Sequence, residues 1–66
     1  MQISVNGKLQ DVEDPTTIAG LLQKLGIDSR SVVVEKNLQI VHRAALEQET
    51  VREGDSIEII RFVGGG

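Results

Sequence analysis

Apolar side chains recur along this chain with two different periods, and the switch between them marks out its elements. Ile3 and Val5 alternate with Gln2, Ser4 and Asn6, the period of two that gives a strand one buried face. Asn6-Gly7 follows, a pair suited to a type I′ hairpin turn, whose two central positions both need positive φ. The return strand runs from Lys8 to about Glu13. Its apolar residues, Leu9 and Val12, stand three apart, which breaks the alternation and predicts a bulge or a frayed end.

The period then lengthens. Ile18, Leu21, Leu22 and Leu25 fall at i, i+3, i+4 and i+7, the apolar stripe of a helix over about Thr17-Leu25. Asp14-Pro15-Thr16-Thr17 opens it, with proline before or at the first helical position and a Thr hydroxyl placed to cap a free N–H. Gly26 ends it as a left-handed cap. Gly20 lies inside at a cost of about 1 kcal/mol relative to Ala, a choice that a close approach of helix to sheet would explain.

Past the connector Ile27-Asp28-Ser29-Arg30, Ser31 to Lys36 reads as a strand, Asn37 as a turn and Leu38 to Val41 as a short strand. His42 to Leu46 suits a 3₁₀ turn, Glu47 to Thr50 is polar, and Arg52-Glu53-Gly54-Asp55 turns into a last strand from Ile57 to Val63. The order strand, strand, helix, strand, short strand, strand predicts an α+β architecture, with one helix on a mixed sheet of four to five strands. The first and last strands are placed to run side by side in parallel at its centre, as in a β-grasp (ubiquitin-like) domain. Residues 1–63 would form this domain, and residues 64–66 a flexible tail.

That tail, Gly64-Gly65-Gly66, is the stretch with chemistry to offer. It follows a β-branched run without a side chain of its own, so the group it presents is the α-carboxylate of Gly66. Extended from Val63, it reaches roughly 13 Å at about 3.3 Å per residue. Glycine lets enclosing walls approach the backbone closely. The tail is therefore suited to threading a narrow channel in another protein. Chain ends are commonly disordered, and a glycine triplet can equally be an inert linker. If Ile57 and Ile59 face the helix, Ile60 and Phe62 face outward. With Val63 they would make an apolar docking patch beside the tail, joined by Val33 or Val41.

Composition removes most other classes. The 66 residues allow one domain and contain no cysteine, so neither disulfides nor thiolate metal sites are available, which fits a cytoplasmic protein. No stretch is long and apolar enough for a membrane span. The net charge is -3 and Phe62 is the only aromatic, against the basic face and stacking rings of a nucleic-acid binder. A mildly acidic surface suits a partner with a basic docking face. His42, the single histidine, has no pattern of nucleophile or ligands around it, and Glu47, Glu49, Glu53, Asp55 and Glu58 read as a solvated face. Neither an autonomous enzyme nor a metal site is expected. An activated Gly66 would also meet no internal thiol, so any sulfur on this chain would sit on the terminal carbonyl carbon.

Several stretches in order resemble the ThiS family, the ubiquitin-like sulfur carriers of thiamine thiazole biosynthesis. They are Met1-Gln2-Ile3-Ser4-Val5-Asn6-Gly7, Thr17 with Leu21-Leu22, Val33-Val34-Glu35-Lys36-Asn37, Gln39-Ile40-Val41, Gly54-Asp55-Ser56-Ile57-Glu58-Ile59 and Phe62-Val63-Gly64-Gly65-Gly66. The resemblance implies a β-grasp fold and a carrier that binds no cofactor itself. A ThiF-like adenylyltransferase would use ATP and Mg²⁺ to convert the Gly66 carboxylate to an acyl-adenylate. Sulfur from a cysteine desulfurase would make it a thiocarboxylate, and a ThiG-like thiazole synthase would accept that sulfur. By motif the functional positions are Gly65 and Gly66, then Gly64. Alternatives with the same tail are a molybdopterin-type sulfur carrier, whose chains usually are longer and often carry prolines before the Gly-Gly, and a ubiquitin-like protein modifier. A non-covalent interaction module with an inert tail is the third.

Overall fold

The computed structural model describes residues 1–62, so the expectations for Val63, Gly64, Gly65 and Gly66 lie outside the described residues. A five-stranded sheet has the order β2-β1-β7-β4-β5, formed by β1 (Gln2–Val5), β2 (Lys8–Asp11), β4 (Val32–Lys36), β5 (Gln39–Val41) and β7 (Ser56–Arg61). β1 and β7 pair in parallel at the centre, and the other neighbours are antiparallel. One helix, α1 (Ile18–Leu25), completes the layer. This is the β-grasp arrangement expected from the order of elements. A second, two-stranded ladder between β3 (Thr16–Thr17) and β6 (Thr50–Val51) was not legible in the sequence.

The hairpin turn forms as expected, with Asn6 at φ 50° and Gly7 at φ 82°. The bulge does not. β1 and β2 stay in register from Val5↔Lys8 to Gln2↔Asp11, and Val12, beyond the strand end, donates its N–H to the Met1 carbonyl at 2.8 Å. Leu9 and Val12 break the alternation because they serve opposite faces: Leu9 is exposed outside, while Val12 is buried in the core.

Thr17 caps α1 rather than opening it. Its backbone is extended, and its Oγ1 accepts the Gly20 N–H at 3.1 Å. At the other end Gly26 takes φ 72°, and the Ile27 N–H donates back to the Leu22 carbonyl at 2.9 Å, closing the carbonyls that a helix end leaves free. Gly20 is explained by these same threonines and not by the main sheet. A Cβ at Gly20 would stand 2.7 Å from Thr16 Oγ1, so β3 and the first helical turn fit only without that side chain. Ile18, Leu21 and Leu22 are buried, with Leu25 at the margin. They pack with Ile3, Val5, Val34, Ile57 and Ile59 of the sheet and Leu46 and Val51 beyond it. Each such side chain stabilises the fold by about 1.5–3 kcal/mol through burial.

Candidate functional site

The alternation of β7 fixes what its two faces present. Ile57 and Ile59 are buried beneath α1, whereas Glu58, Ile60 and Phe62 fall on the parity that faces away. Ile60 is 49% and Phe62 56% exposed, so two of the three residues expected in the docking patch are available to a partner. Across the ladder, Val33 stands opposite Ile60 and Glu35 opposite Glu58; Ile40 of β5 stands opposite Glu35. Val33 therefore lies beside Ile60 on this face. Val41 pairs with the buried Val34 and is half-buried, yet it lines the same depression as Val33 and Phe62. Ile40, 58% exposed, lies there as well. A depression of about 170 Å³ at this corner brings Val33, Ile40, His42, Arg43 and Phe62 together.

The root of the tail is held by a second element. Phe62 donates its N–H to the Ser31 carbonyl at 3.0 Å, which ties the end of β7 to the 3₁₀ turn Ser29–Ser31. Asp28 caps that turn through the Arg30 N–H at 2.9 Å and also takes the Arg30 guanidinium, Nε at 3.2 Å and Nη2 at 3.0 Å. The side-chain bond from Arg30, aided by its N–H, holds the Asp28 carboxyl below the ordinary carboxylate value. Arg43 reaches the same place, its Nη2 donating to the Arg30 carbonyl at 3.1 Å. Arg61 stands opposite Val32 at the last rung of the ladder. Sequence reasoning missed this gathering of Arg30, Arg43 and Arg61, because they are far apart in the chain and only the pairing of β4 with β7 and the path of the 3₁₀ turns bring them together.

At the opposite end of β7, polar side chains brace the strand. Asp55 was expected on a solvated face; instead it is buried. Its Oδ2 accepts the Arg52 N–H at 2.8 Å and its Oδ1 the Asn37 amide at 3.1 Å. Burial by itself would push this carboxyl up. The Arg52 N–H, the Asn37 amide and the charges of Lys36 and Arg52 outweigh it and leave the group lowered. Lys36 adds an ion pair to Glu49 at 2.7 Å and a bond to the Thr50 carbonyl at 3.0 Å. These groups are structural. His42 is exposed and forms no capping bond. Among the described residues no group of three or more His, Cys, Asp or Glu could hold a metal ion. Among them too, no helix is long and apolar enough to cross a membrane.

The five-stranded sheet thus carries exposed Ile60 and Phe62 to the end of β7, with Arg61 beside them in the chain. The ThiS family model matches residues 3–66 of this chain. The chain belongs to the ThiS family. It is 34% identical to the sulfur carrier protein ThiS of Bacillus subtilis, over 97% of this chain and 98% of that one. It is similar to the crystal structure of the thiamine biosynthesis protein ThiS from Geobacter metallireducens, with a TM-score of 0.87, 35% identity and complete coverage of both chains. It is also 42% identical, over its whole length, to part of a thiazole synthase from Paramagnetospirillum magneticum. The chain spans 20% of that relative's length, and the same share of a thiazole synthase from Magnetococcus marinus. The match of ThiS-family members to the β-grasp reading is therefore one of fold and of sequence together.

Proposed function

We propose that this chain is a sulfur carrier of thiamine biosynthesis whose Gly66 carboxylate is the working group. The observation that carries this reading is the family match running through residue 66, so that it takes in the glycines as well as the fold behind them. The exposed Ile60 and Phe62 at the root of the tail support it, since they give a partner a surface to grip while Val63, Gly64 and Gly65 enter its channel. The two thiazole synthase relatives favour thiazole formation as the destination of the sulfur.

The chemistry follows from what a carboxylate lacks. Its oxygen is a poor leaving group, so a carboxylate oxygen of Gly66 first attacks the α-phosphorus of ATP on a ThiF-like adenylating partner, and pyrophosphate leaves. Mg²⁺ belongs to that partner and offsets the phosphate charge. A persulfide sulfur, supplied by a cysteine desulfurase, then attacks the acyl carbon and AMP leaves. Cleavage of the S–S bond by a donor-side thiol leaves the thiocarboxylate and a disulfide. A ThiG-like thiazole synthase takes the sulfur. The carrier supplies reach, a backbone without side-chain bulk and a docking face; catalysis resides in the partners.

The test is pyrophosphate exchange with the partner adenylating enzyme, together with intact mass after sulfur loading. The wild-type chain exchanges and gains a mass corresponding to one oxygen replaced by sulfur. Deleting Gly66, or capping it as an amide, abolishes both and leaves the fold unchanged. Undiminished exchange by the shortened chain, or a native chain that continues past Gly66 untrimmed, would overturn the reading.

A further inference from the structure

The molecule is acidic overall, with a net charge of -3, yet the place where the tail departs is basic. Arg43 Nη2 donates to the Arg30 carbonyl at 3.1 Å, and the Phe62 N–H, next to Arg61 in the chain, donates to the Ser31 carbonyl at 3.0 Å, which brings these two stretches to the end of β7. Asp28 neutralises Arg30 at 3.0 Å. Arg43 and Arg61 are exposed, and neither is ion-paired to a carboxylate among the described residues. Glu47 borders a depression that Arg43 also lines, without pairing with it. Arg43 shares the neighbouring depression with Phe62 and Val33 and is close enough to Asp28 to help lower its carboxyl, while Arg61, opposite Val32 on the last rung, has no ion pair among the described residues.

We propose that Arg43 and Arg61 are docking residues for an enzyme whose channel mouth has an acidic rim around an apolar floor, and that the carrier's partners recognise this end by charge as well as by apolar contact. The inference deepens the carrier reading and rests on it. It reverses the sequence-level expectation of a basic docking face, because net charge averages over the whole surface while a partner meets only the end that enters it. Uncompensated cations at the rim of an interface act mainly on encounter rate and on the rejection of wrong partners. Steering of this kind raises on-rates by about 10- to 1,000-fold and fades as salt is added. The apolar floor and the tail then supply contact that salt does not weaken.

The experiment measures carrier-dependent pyrophosphate exchange by the adenylating partner, with R61E, R43E/R61E and R43K/R61K beside the wild type, across a series of salt concentrations. The expected result is a KM for R43E/R61E raised at least about tenfold at low salt, kcat little changed, and a wild-type KM that climbs with salt toward the variant's. R43K/R61K keeps most of the wild-type behaviour. R61E is the control for folding, since Arg61 makes no side-chain bond among the described residues; it should melt like the wild type and shift KM in the same direction. A wild type that exchanges normally while the charge reversals leave KM and its salt dependence unchanged, or lower KM, overturns this inference alone. A wild type that no adenylating enzyme activates overturns the carrier reading and this one with it.

Discussion

Asn6 Oδ1 accepts a hydrogen bond from the Ile59 N–H at 2.8 Å, across 53 residues of sequence. The Asn6 N–H donates to the Ile57 carbonyl at 2.9 Å, so a hairpin-turn residue continues the parallel ladder that β1 itself holds at only Ser4↔Ser56 and Val5↔Ile57. The strand that presents the tail is therefore fastened in the middle by a turn side chain. Asn suits both duties, tolerating positive φ and offering a carbonyl acceptor.

Replacing Asn6 should separate those duties. Asn6→Asp keeps an acceptor and is expected to lose least. Asn6→Gly keeps the turn but leaves the Ile59 N–H without its partner, a loss of about 1–3 kcal/mol. Asn6→Ala adds left-handed strain of about 1–2 kcal/mol to that loss. Urea unfolding gives the order directly. Equal stabilities for the Gly and Ala variants would show that φ at this position is not strained by a Cβ.

Gly20→Ala sets two effects against each other. Helix propensity gains about 1 kcal/mol, whereas overpacking typically costs about 1–3 kcal/mol. The 2.7 Å approach to Thr16 Oγ1 decides for the second, because a β-branched side chain within a ladder has little freedom to turn away. The substitution should be net destabilising, and Thr16→Ala in the same chain should recover most of the loss. A double-mutant cycle with no coupling between the two sites would count against this account.

Asp55 should make stability fall at low pH. Its carboxyl is lowered in the folded state from an ordinary value of 3.8, so the contribution is complete above that value. It is lost as the pH falls below 3.8 toward the folded-state value, where the native state must also take up the proton. Asp55→Asn should be less stable than the wild type at neutral pH by about 1–3 kcal/mol, the penalty for disturbing a buried bonded group. The gap should narrow below pH 4 in thermal melts at about 1 unit intervals. A gap independent of pH would assign the loss to packing instead.

Phe62→Ala and Ile60→Ala should leave the melting temperature nearly unchanged, since both side chains are about half exposed. Each is expected to weaken binding to the adenylating partner by about 1–3 kcal/mol, the range for losing a large apolar contact. Titration calorimetry measures this without turnover. Unchanged affinity in both variants would mean that the outer face of β7 is merely uncovered surface.

The sequence by itself determined the main elements. Periods of two and of 3.6 placed β1, α1 and β7, and Asn6-Gly7 and Gly26 marked a turn and a cap. Those features are local, because they depend on the backbone preferences of neighbouring residues. The tertiary structure decided what the linear pattern leaves open: that Ile40 joins Val33 and Phe62 at one depression, that Asp55 is buried among donors, and that Thr16–Thr17 pairs with Thr50–Val51. Above all it brought Arg30 and Arg43 to the end of β7, near Arg61. Register and long-range pairing set these relationships, and a shift of a single residue in a ladder turns every side chain to the other face. No local preference carries that information.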